Sequence, residues 1–328
     1  MKALRIIVFF SIIGLVSCNN GKSKNYLPSS IGAVNHVTVV MDNELWKGQV
    51  GDKVREHFAA TAVGLTWQES ILTLRQVPPE VFSGSLLSTK SILLVKKDSI
   101  DVAELKSDIY ATPQRMAVFK GQTDEEIMAD IDQKADEVIA SYKAMELKET
   151  QTRLLKSLNK EGTLEEKFNI TMSVPSIYKV VGQGDRFVRM DREIQKGHMN
   201  IIAYEMPVNS FSVDSTLIRE IIQMRDSIGA LYIPGPDVPN KVTHMRTEPA
   251  FSPSIFSAEI AGRKAIEVRG IWDIKNYPMA GPFITYIIDD VPNNRKMVVE
   301  GFTFAPATNK RDNMFQLEAI MKTMRFTK

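Results

Sequence analysis

A long stretch of the chain, from Thr123 to Glu161, contains neither proline nor glycine. It opens with Thr123-Asp-Glu-Glu126, which supplies the hydroxyl and the carboxylate of a helix capping box. A single helix over this stretch would be about 55 Å long, which is more than the width of a small domain. We therefore expect a long helix that links two halves of the protein or breaks near Glu149, with its charged side chains forming a solvated face. The apolar face expected on this helix consists of Ile127, Ile131, Val138, Tyr142 and Met145.

The residues before this stretch have the pattern of an α/β layer. Short β-branched and apolar segments predict buried strands, and Asp42 or Asn43 is placed to cap a helix. Strands and a helix in alternation favour a sheet with helices on its faces. The predicted strands cover 34–41, 71–77, 91–97 and 114–121, and the predicted helix covers 44–60.

The residues after the long stretch favour an antiparallel sheet. A hairpin is predicted over 177–193 with its turn at Gly182-Gln-Gly-Asp185, while five prolines within 233–255 exclude regular structure and indicate an exposed ordered loop or lid. We therefore predict an α+β protein with two layered halves, 31–160 and 161–328, joined through the long helix. The other predicted elements are strands at 167–175, 199–208, 264–274, 282–290 and 296–306, and helices that start at Asp214 or Ser215 and cover 312–324.

The first residues have the pattern of an export signal. A basic segment precedes an apolar run that is too short to span a membrane. At its end, Leu15-Val16-Ser17-Cys18 resembles the lipobox of bacterial lipoproteins, in which the cysteine receives a diacylglycerol and becomes the new N-terminus. The resemblance implies a signal peptide at 1–17 and lipid attachment at Cys18. The alternative is an ordinary signal peptide with an incidental cysteine.

Residues 18–30 are polar and rich in Asn, Ser and Gly, which is typical of a flexible tether. The tether contains no acidic cluster, which follows the cysteine of some surface-displayed lipoproteins. Asn19 also replaces the aspartate that often retains lipoproteins in the inner membrane. We therefore expect a lipid anchor in the outer membrane with the protein facing the periplasm.

The charge balance argues against a nucleic-acid binder. Removing residues 1–17 takes away Lys2 and Arg5 and leaves 39 basic and 39 acidic residues. Nucleic-acid-binding proteins normally show a clustered excess of basic side chains. Once Cys18 is lipidated no thiol is left for a disulfide or a thiolate nucleophile. We expect no nucleic-acid partner.

Two resemblances to known families accompany these patterns. The segments "VTVVMDNELWKGQVGDKVRE" and "QVPPEVFSG", within 31–97, resemble Bacteroidetes lipoproteins of domain-of-unknown-function family 4837. That resemblance implies a family domain over nearly the whole mature chain and carries over no catalytic residue. Residues 167–326 are similar in layout to the PsbP-like and Ran-binding Mog-like sandwiches. Those folds generally serve as binding or assembly modules.

The sequence contains no recognisable catalytic or cofactor motif. Its four histidines, His36, His57, His198 and His244, lie far apart and have no carboxylate at metal spacing. There is no nucleophile elbow, and Gly182-Gln-Gly184 lies between strands rather than before a helix, so it predicts a hairpin turn. We therefore expect no metal, no cofactor and no assigned catalytic residue. Asp289-Asp290 is interpreted as an acid pair that starts a turn.

A few residues are candidates for contact with a partner or ligand. Trp272 lies where a strand leads into a loop, so it is either a binding anchor or a core residue. Arg186 and Arg189, with Arg192, either line one sheet face and bind an anion or pair with neighbouring carboxylates. His244 and Arg246 alternate with Glu248 along the proline-rich loop.

Two functions are compatible with these observations. The first is a binding or assembly module in the envelope, with another envelope protein as its partner. The alternative is a hydrolase-type enzyme that acts on an envelope polymer or lipid, with a site under the 233–255 loop. The alternative requires His244, Arg246 and Glu248 to converge with other polar groups in a cleft.

Overall fold

A computed structural model describes residues 26–65, 69–212 and 214–327. The predictions for the signal peptide and for lipidation of Cys18 fall on residues outside these ranges. Within the ranges, no helix combines the length and the apolar character needed to cross a membrane.

The N-terminal half contains a five-stranded, mostly parallel sheet. Its strand order is β2-β1-β3-β5-β4, and only β4 runs antiparallel to its neighbour. The predicted helix 44–60 is observed as two helices, α1 and α2, because Gly48 between them has an extended conformation. The strands are β1 (His36–Val40), β2 (Thr73–Val77), β3 (Ser91–Lys97), β4 (Val102–Ser107) and β5 (Arg115–Gly121), and the helices are α1 (Asn43–Lys47) and α2 (Gln49–Phe58).

The long helix α3 (Asp124–Leu154) links the two halves. Its capping box is confirmed, since the Glu126 N–H donates to the Thr123 hydroxyl at 3.2 Å and the Thr123 N–H donates to the Glu126 carboxylate at 3.3 Å. At 1.5 Å per residue the helix is about 46 Å long. It continues past Glu149 without a break and ends at Leu154.

The C-terminal half contains an eight-stranded antiparallel sheet. Its order is β10-β12-β13-β14-β9-β8-β7, with β11 also paired to β12. A two-stranded sheet of β6 and β15 lies apart from it. The strands are β6 (Ile170–Thr171), β7 (Lys179–Gly184), β8 (Phe187–Ile194), β9 (Gly197–Pro207), β10 (Met245–Thr247), β11 (Ser254–Ile260), β12 (Arg263–Ile274), β13 (Tyr277–Asp290), β14 (Arg295–Phe304) and β15 (Arg325–Phe326), and the helices are α4 (Thr163–Phe168), α5 (Leu217–Tyr232) and α6 (Arg311–Met321).

Helices cover both faces of this large sheet. On one face, Leu317 and Ile320 of α6 pack against apolar side chains such as Ile201. On the other face, Ile221 of α5 joins a cluster that includes Phe283. This arrangement confirms the predicted α+β fold with an antiparallel sheet and helices in the second half.

Three local predictions for the second half were wrong. The predicted strand 167–175 is occupied by α4 and the two-residue β6, because Leu164 and Phe168 bury one face of a short helix. The predicted hairpin forms, but its turn is not at Gly182-Gln-Gly-Asp185. Strand β7 continues to Gly184, so the turn consists of Asp185 and Arg186. The proline-rich segment does contain regular structure, since β10 fits between its prolines and pairs with β12.

The two halves are joined by a buried carboxylate as well as by α3. Glu69, from the N-terminal half, accepts the backbone N–H groups of Lys310 and Arg311 at the start of α6, at 2.9 and 2.7 Å. The Arg311 guanidinium in turn donates to the Ser70 carbonyl at 3.0 Å. Glu69 therefore satisfies helix N–H groups that have no partner within the helix.

Replacing Glu69 with Ala should lower the free energy of unfolding by about 1–3 kcal/mol, because buried N–H groups lose their acceptor. Urea denaturation would measure the loss. Glu80→Ala is a matched control, since Glu80 is exposed and its removal should change stability by no more than about 0.5 kcal/mol. Equal midpoints for Glu69→Ala and Glu80→Ala would contradict the assigned role.

Candidate functional site

Helix α3 passes from one hydrophobic core to the other near its middle. Its inward-facing side chains from Ile127 to Tyr142 belong to the core of the N-terminal half. Leu147 packs against the core of the C-terminal half, and Leu154 is part of it. Lys143 lies on the turn between these two contacts. Because neither core fills the space beside this turn, a cleft opens between the halves.

This junction cleft has a volume of about 500 Å³. Its size lies within the range of pockets that hold small molecules, and such pockets commonly form at domain interfaces. Helices α3 and α6, the large sheet and the loop after α2 all contribute to its walls. The lining residues are Asn35, Ala62, Val63, Gly64, Leu65, Ile71, Ala140, Lys143, Ala144, Leu147, Phe256, Glu267, Arg269, Pro282, Phe283, Arg311, Met314, Phe315, Glu318 and Lys322.

Most of these lining side chains are apolar. Two of them, Val63 and Phe256, are 51% and 42% exposed, so they leave apolar surface open to solvent beside the cleft. The loop after α2 approaches the sheet closely at Gly64. A Cβ atom on Gly64 would lie 2.8 Å from the Cβ of Arg269, and the φ angle of +82° also disfavours other residues there. Glycine thus allows the loop to form this wall.

A chain of charged side chains crosses one wall of the cleft. Arg269 donates to Glu267 at 2.6 Å and to Glu318 at 2.8 Å. Lys322 donates to the other oxygen of Glu318 at 2.6 Å, and the Tyr286 hydroxyl donates to Glu267 at 2.8 Å. The two carboxylates therefore balance the two cations within this network.

The pKa values of Glu318 and Arg269 are shifted by the opposite charges beside them. Burial would raise the pKa of Glu318, but the charges of Arg269 and Lys322 outweigh burial and lower it. Burial would lower the pKa of Arg269, while Glu318 and Glu267 raise it. Glu318 and Arg269 are thus held in their charged forms at neutral pH.

Lys143 is the exception among the charged residues of the cleft. Among the residues that the structure describes, none forms a hydrogen bond or ion pair with its ammonium group. Burial, followed by the like charge of Arg269, lowers the pKa of Lys143 below its ordinary value. Arg311, also in the cleft, already pairs with Asp312 at 2.9 Å. Lys143 therefore contributes a positive charge that no described neighbour pairs with.

The residues predicted on the proline-rich segment do not converge. The His244 ring nitrogen Nδ1 lies 3.1 Å from the Met245 carbonyl oxygen. Arg246 forms a two-pronged ion pair with Asp273, at 2.9 and 3.0 Å. Glu248 accepts a backbone N–H from Ala250 within its own turn. This arrangement brings together no acid–base pair.

Trp272 lies in the core of the C-terminal half. It is 2% exposed and packs edge-on against Phe302, with ring centroids 5.7 Å apart. Its position agrees with the core interpretation and contradicts the binding-anchor interpretation, because a buried indole presents no contact surface. The strand β12 continues to Ile274, so Trp272 precedes the turn rather than lying in a loop.

The predicted arginine face does not form. Arg189 and Arg192 are three residues apart on β8, and side chains of a strand alternate between its faces. Arg189 donates to Asn200 at 2.8 Å, while Arg192 donates to Gln316 of α6 at 2.7 Å. Arg186, at the turn, pairs with Glu205 at 3.3 Å. The arginines therefore pair locally, as the alternative interpretation predicts, and do not form a shared anion site. Their partners differ from the predicted ones.

Asp289 and Asp290 also have local partners. Asp289 pairs with Lys296 at 2.6 Å, and buried Asp290 accepts from Arg295 at 2.7 Å and from Arg263. In the described ranges no group of three or more His, Cys, Asp or Glu side chains has the arrangement of a metal site.

Sequence reasoning missed the residues of the junction cleft. Glu267 and Arg269 are two apart on a strand, and Glu318 and Lys322 are four apart on a helix, so each pair lies on one face. These spacings are visible in the sequence. The two pairs meet opposite Lys143 only because of the way the halves pack together, and no local sequence pattern indicates that packing.

Comparisons with known proteins give two family matches. A family model described as "Domain of unknown function (DUF4837)" matches residues 157–323, and one described as "Domain of unknown function (DUF8532)" matches residues 30–155. The DUF4837 match confirms the predicted family. It covers the second half of the chain, however, whereas the segments that suggested this family lie within 31–97, a range that the DUF8532 model matches. No curated protein matches the chain.

A search of solved structures matches the Ran-binding protein Mog1p of Saccharomyces cerevisiae. The match has a TM-score of 0.31 and 9% sequence identity, and it covers 48% of this chain and 90% of that protein. The similarity is too low to carry an argument about function.

Proposed function

Because the chain belongs to the DUF4837 family, whose description assigns no activity, we propose its function from the junction cleft. The protein is a membrane-anchored binding module of the cell envelope that holds a small organic ligand between its two halves. The observation that carries the proposal is a mostly apolar cleft of about 500 Å³, located where two halves meet, whose charged side chains are paired with described neighbours except for Lys143.

The membrane anchor in this proposal rests on the sequence. Leu15-Val16-Ser17-Cys18 has the order of residues that precedes lipidation in bacterial lipoproteins, and the tether that follows is flexible in composition. The same pattern, with Asn19 after the cysteine, favours the outer membrane with the protein facing the periplasm. A lipid anchor would keep the cleft close to the membrane, where apolar ligands are concentrated.

The hydrolase alternative has less support. A catalytic site needs a nucleophile or activated water, a base and a group that stabilises developing charge, all within contact distance of one another. His244 has no carboxylate contact among the described residues, and Arg246 is committed to Asp273. The 233–255 segment therefore supplies no constellation for hydrolysis.

A protein partner from the envelope is the second candidate. The observation that favours it is the exposure of Leu231 and Val242, which are 69% and 70% exposed. They flank two backbone hydrogen bonds, from the Met245 N–H of β10 to the Ile233 carbonyl and from the Gly235 N–H to the Thr243 carbonyl. If a partner binds there, replacing both Leu231 and Val242 with Asp should abolish a defined crosslinked complex on membranes and leave the unfolding midpoint unchanged.

The cleft proposal predicts that filling the cleft abolishes ligand binding. The probe is 2-naphthoate, a bicyclic aromatic acid small enough for the cleft, titrated calorimetrically into the full lipoprotein in phospholipid nanodiscs. Wild-type protein should bind one equivalent, and Ala144→Phe should lose binding because the new ring occupies the cleft.

Ala129→Phe is the matched control for this experiment. Ala129 is exposed on the same helix and lies outside the cleft, so this variant should bind like the wild type. Equal binding heats in wild type, Ala129→Phe and Ala144→Phe would contradict the cleft as the binding site. Empty nanodiscs supply the blank for partition into lipid.

A further inference from the structure

We infer that the ligand of the junction cleft is an amphipathic monoanion whose carboxylate pairs with the ammonium group of Lys143. This inference rests on the proposed function and adds the chemical class of the ligand. It assigns Lys143 as the residue that selects an acid over a neutral molecule of the same shape.

The first step is the charge balance in the cleft. Glu267 and Glu318 balance Arg269 and Lys322 through contacts of 2.6–2.8 Å. Lys143 faces this neutral network and has no partner among the described residues. A cation that is partly buried without a counter-ion loses hydration and gains no pairing in return. An anionic ligand supplies the missing partner.

The second step limits the ligand to a single negative charge. A phosphate dianion is usually held by several donors, often from a two-pronged arginine. Arg269 already donates to the carboxylates of Glu267 and Glu318. Arg311 donates to Asp312 and to a carbonyl and a hydroxyl group of the N-terminal half. Lys143 is thus the cation left to receive a ligand, and one lysine matches one carboxylate.

The third step concerns the rest of the ligand. Apolar side chains flank Lys143, with Ala140, Ala144 and Leu147 on the same helix and Met314 and Phe315 on α6. Burial of apolar ligand surface against such walls is favourable by about 25 cal/mol per Å². A ligand with an apolar body and one carboxylate therefore matches the lining better than a sugar or a nucleotide, whose polar groups would find few partners.

The test compares two probes of the same shape. 2-Naphthoate carries a carboxylate, and 2-naphthamide replaces it with a neutral amide. Both are titrated calorimetrically into the full lipoprotein in nanodiscs, as wild type and as Lys143→Met, Lys143→Arg and Lys148→Met. Lys148 is an exposed lysine of the same helix and serves as the matched control.

We expect wild type to bind naphthoate at least about tenfold more tightly than naphthamide, as is typical of a charge-assisted hydrogen bond. Lys143→Met should remove this preference while still binding the amide, and Lys143→Arg and Lys148→Met should retain it. Binding of the amide also shows that Lys143→Met is folded and its cleft intact.

Three other outcomes would overturn the inference. If wild type binds both probes equally, or if Lys143→Met keeps the preference for naphthoate, Lys143 does not select an anion, although the cleft still binds a ligand. If neither probe binds the wild type, both this inference and the proposed function fail.

Discussion

Replacing Cys18 with Ala is expected to abolish lipidation and to leave an unprocessed precursor or a soluble product of another peptidase. The thiol is the acceptor of the diacylglycerol in lipoproteins of this pattern, and Cys18 is the single cysteine of the chain. One acyl chain binds a membrane only marginally, whereas two or more hold a protein stably. The expected change is therefore nearly complete loss of the lipid-anchored form.

Mass spectrometry of the N-terminal peptide would measure this effect in the wild type and the variant. The wild-type peptide should begin at Cys18 and carry acyl chains. Ser23→Ala, a change in the tether close to the cysteine, is the control and should be processed normally. An unmodified Cys18 in the mature wild type, or Ser17 retained before it, would refute the lipoprotein assignment.

Replacing Glu300 with Ala is expected to cost about 3–5 kcal/mol of stability, because it leaves a buried arginine without its counter-ion. Arg225 and Glu300 form a two-pronged ion pair at 2.7 and 2.8 Å, and both side chains are 1% exposed. Thr247 accepts the third bond of the guanidinium, and Thr285 donates to Glu300. The arginine also stacks on the ring of Phe283.

Urea denaturation followed by circular dichroism would measure the loss. Glu137→Ala is the control, because Glu137 pairs with Lys134 on an exposed face of α3 and such pairs contribute at most about 1 kcal/mol. Replacing both Arg225 and Glu300 with apolar residues of similar volume should be far less damaging than Glu300→Ala alone. A Glu300→Ala midpoint equal to that of Glu137→Ala would refute the assigned role of the pair.

The existence and the start of the long helix could be predicted from local chemistry, but its end at Leu154 could not. Its start is fixed by hydrogen bonds between Thr123 and Glu126, which are neighbours in sequence. Strand β3 was predicted with its observed bounds because Ser91–Lys97 is continuously apolar at its centre. Strand β4 was missed, since Val102–Ser107 lies at the edge of its sheet and half of its residues are exposed.

The candidate site could not be predicted because its parts come from distant segments. Arg269 and Glu318 are 49 residues apart in sequence and meet at 2.8 Å only after the sheet and α6 pack together. From the sequence around it, Lys143 is expected to be one of the solvated charges on the long helix. Of the residues selected instead, Trp272 packs in the core and Arg189 donates to a neighbouring strand.

The measurement that tests the central claim most directly is the identification of the natural ligand. The lipoprotein is purified from its own membranes as wild type, Ala144→Phe and Ala129→Phe, and small molecules released from each are identified by mass spectrometry. We expect wild type and Ala129→Phe to carry an organic acid with an apolar body, at up to one molecule per chain, and Ala144→Phe to lack it. Identical extracts from all three proteins would contradict a ligand site at the junction of the two halves.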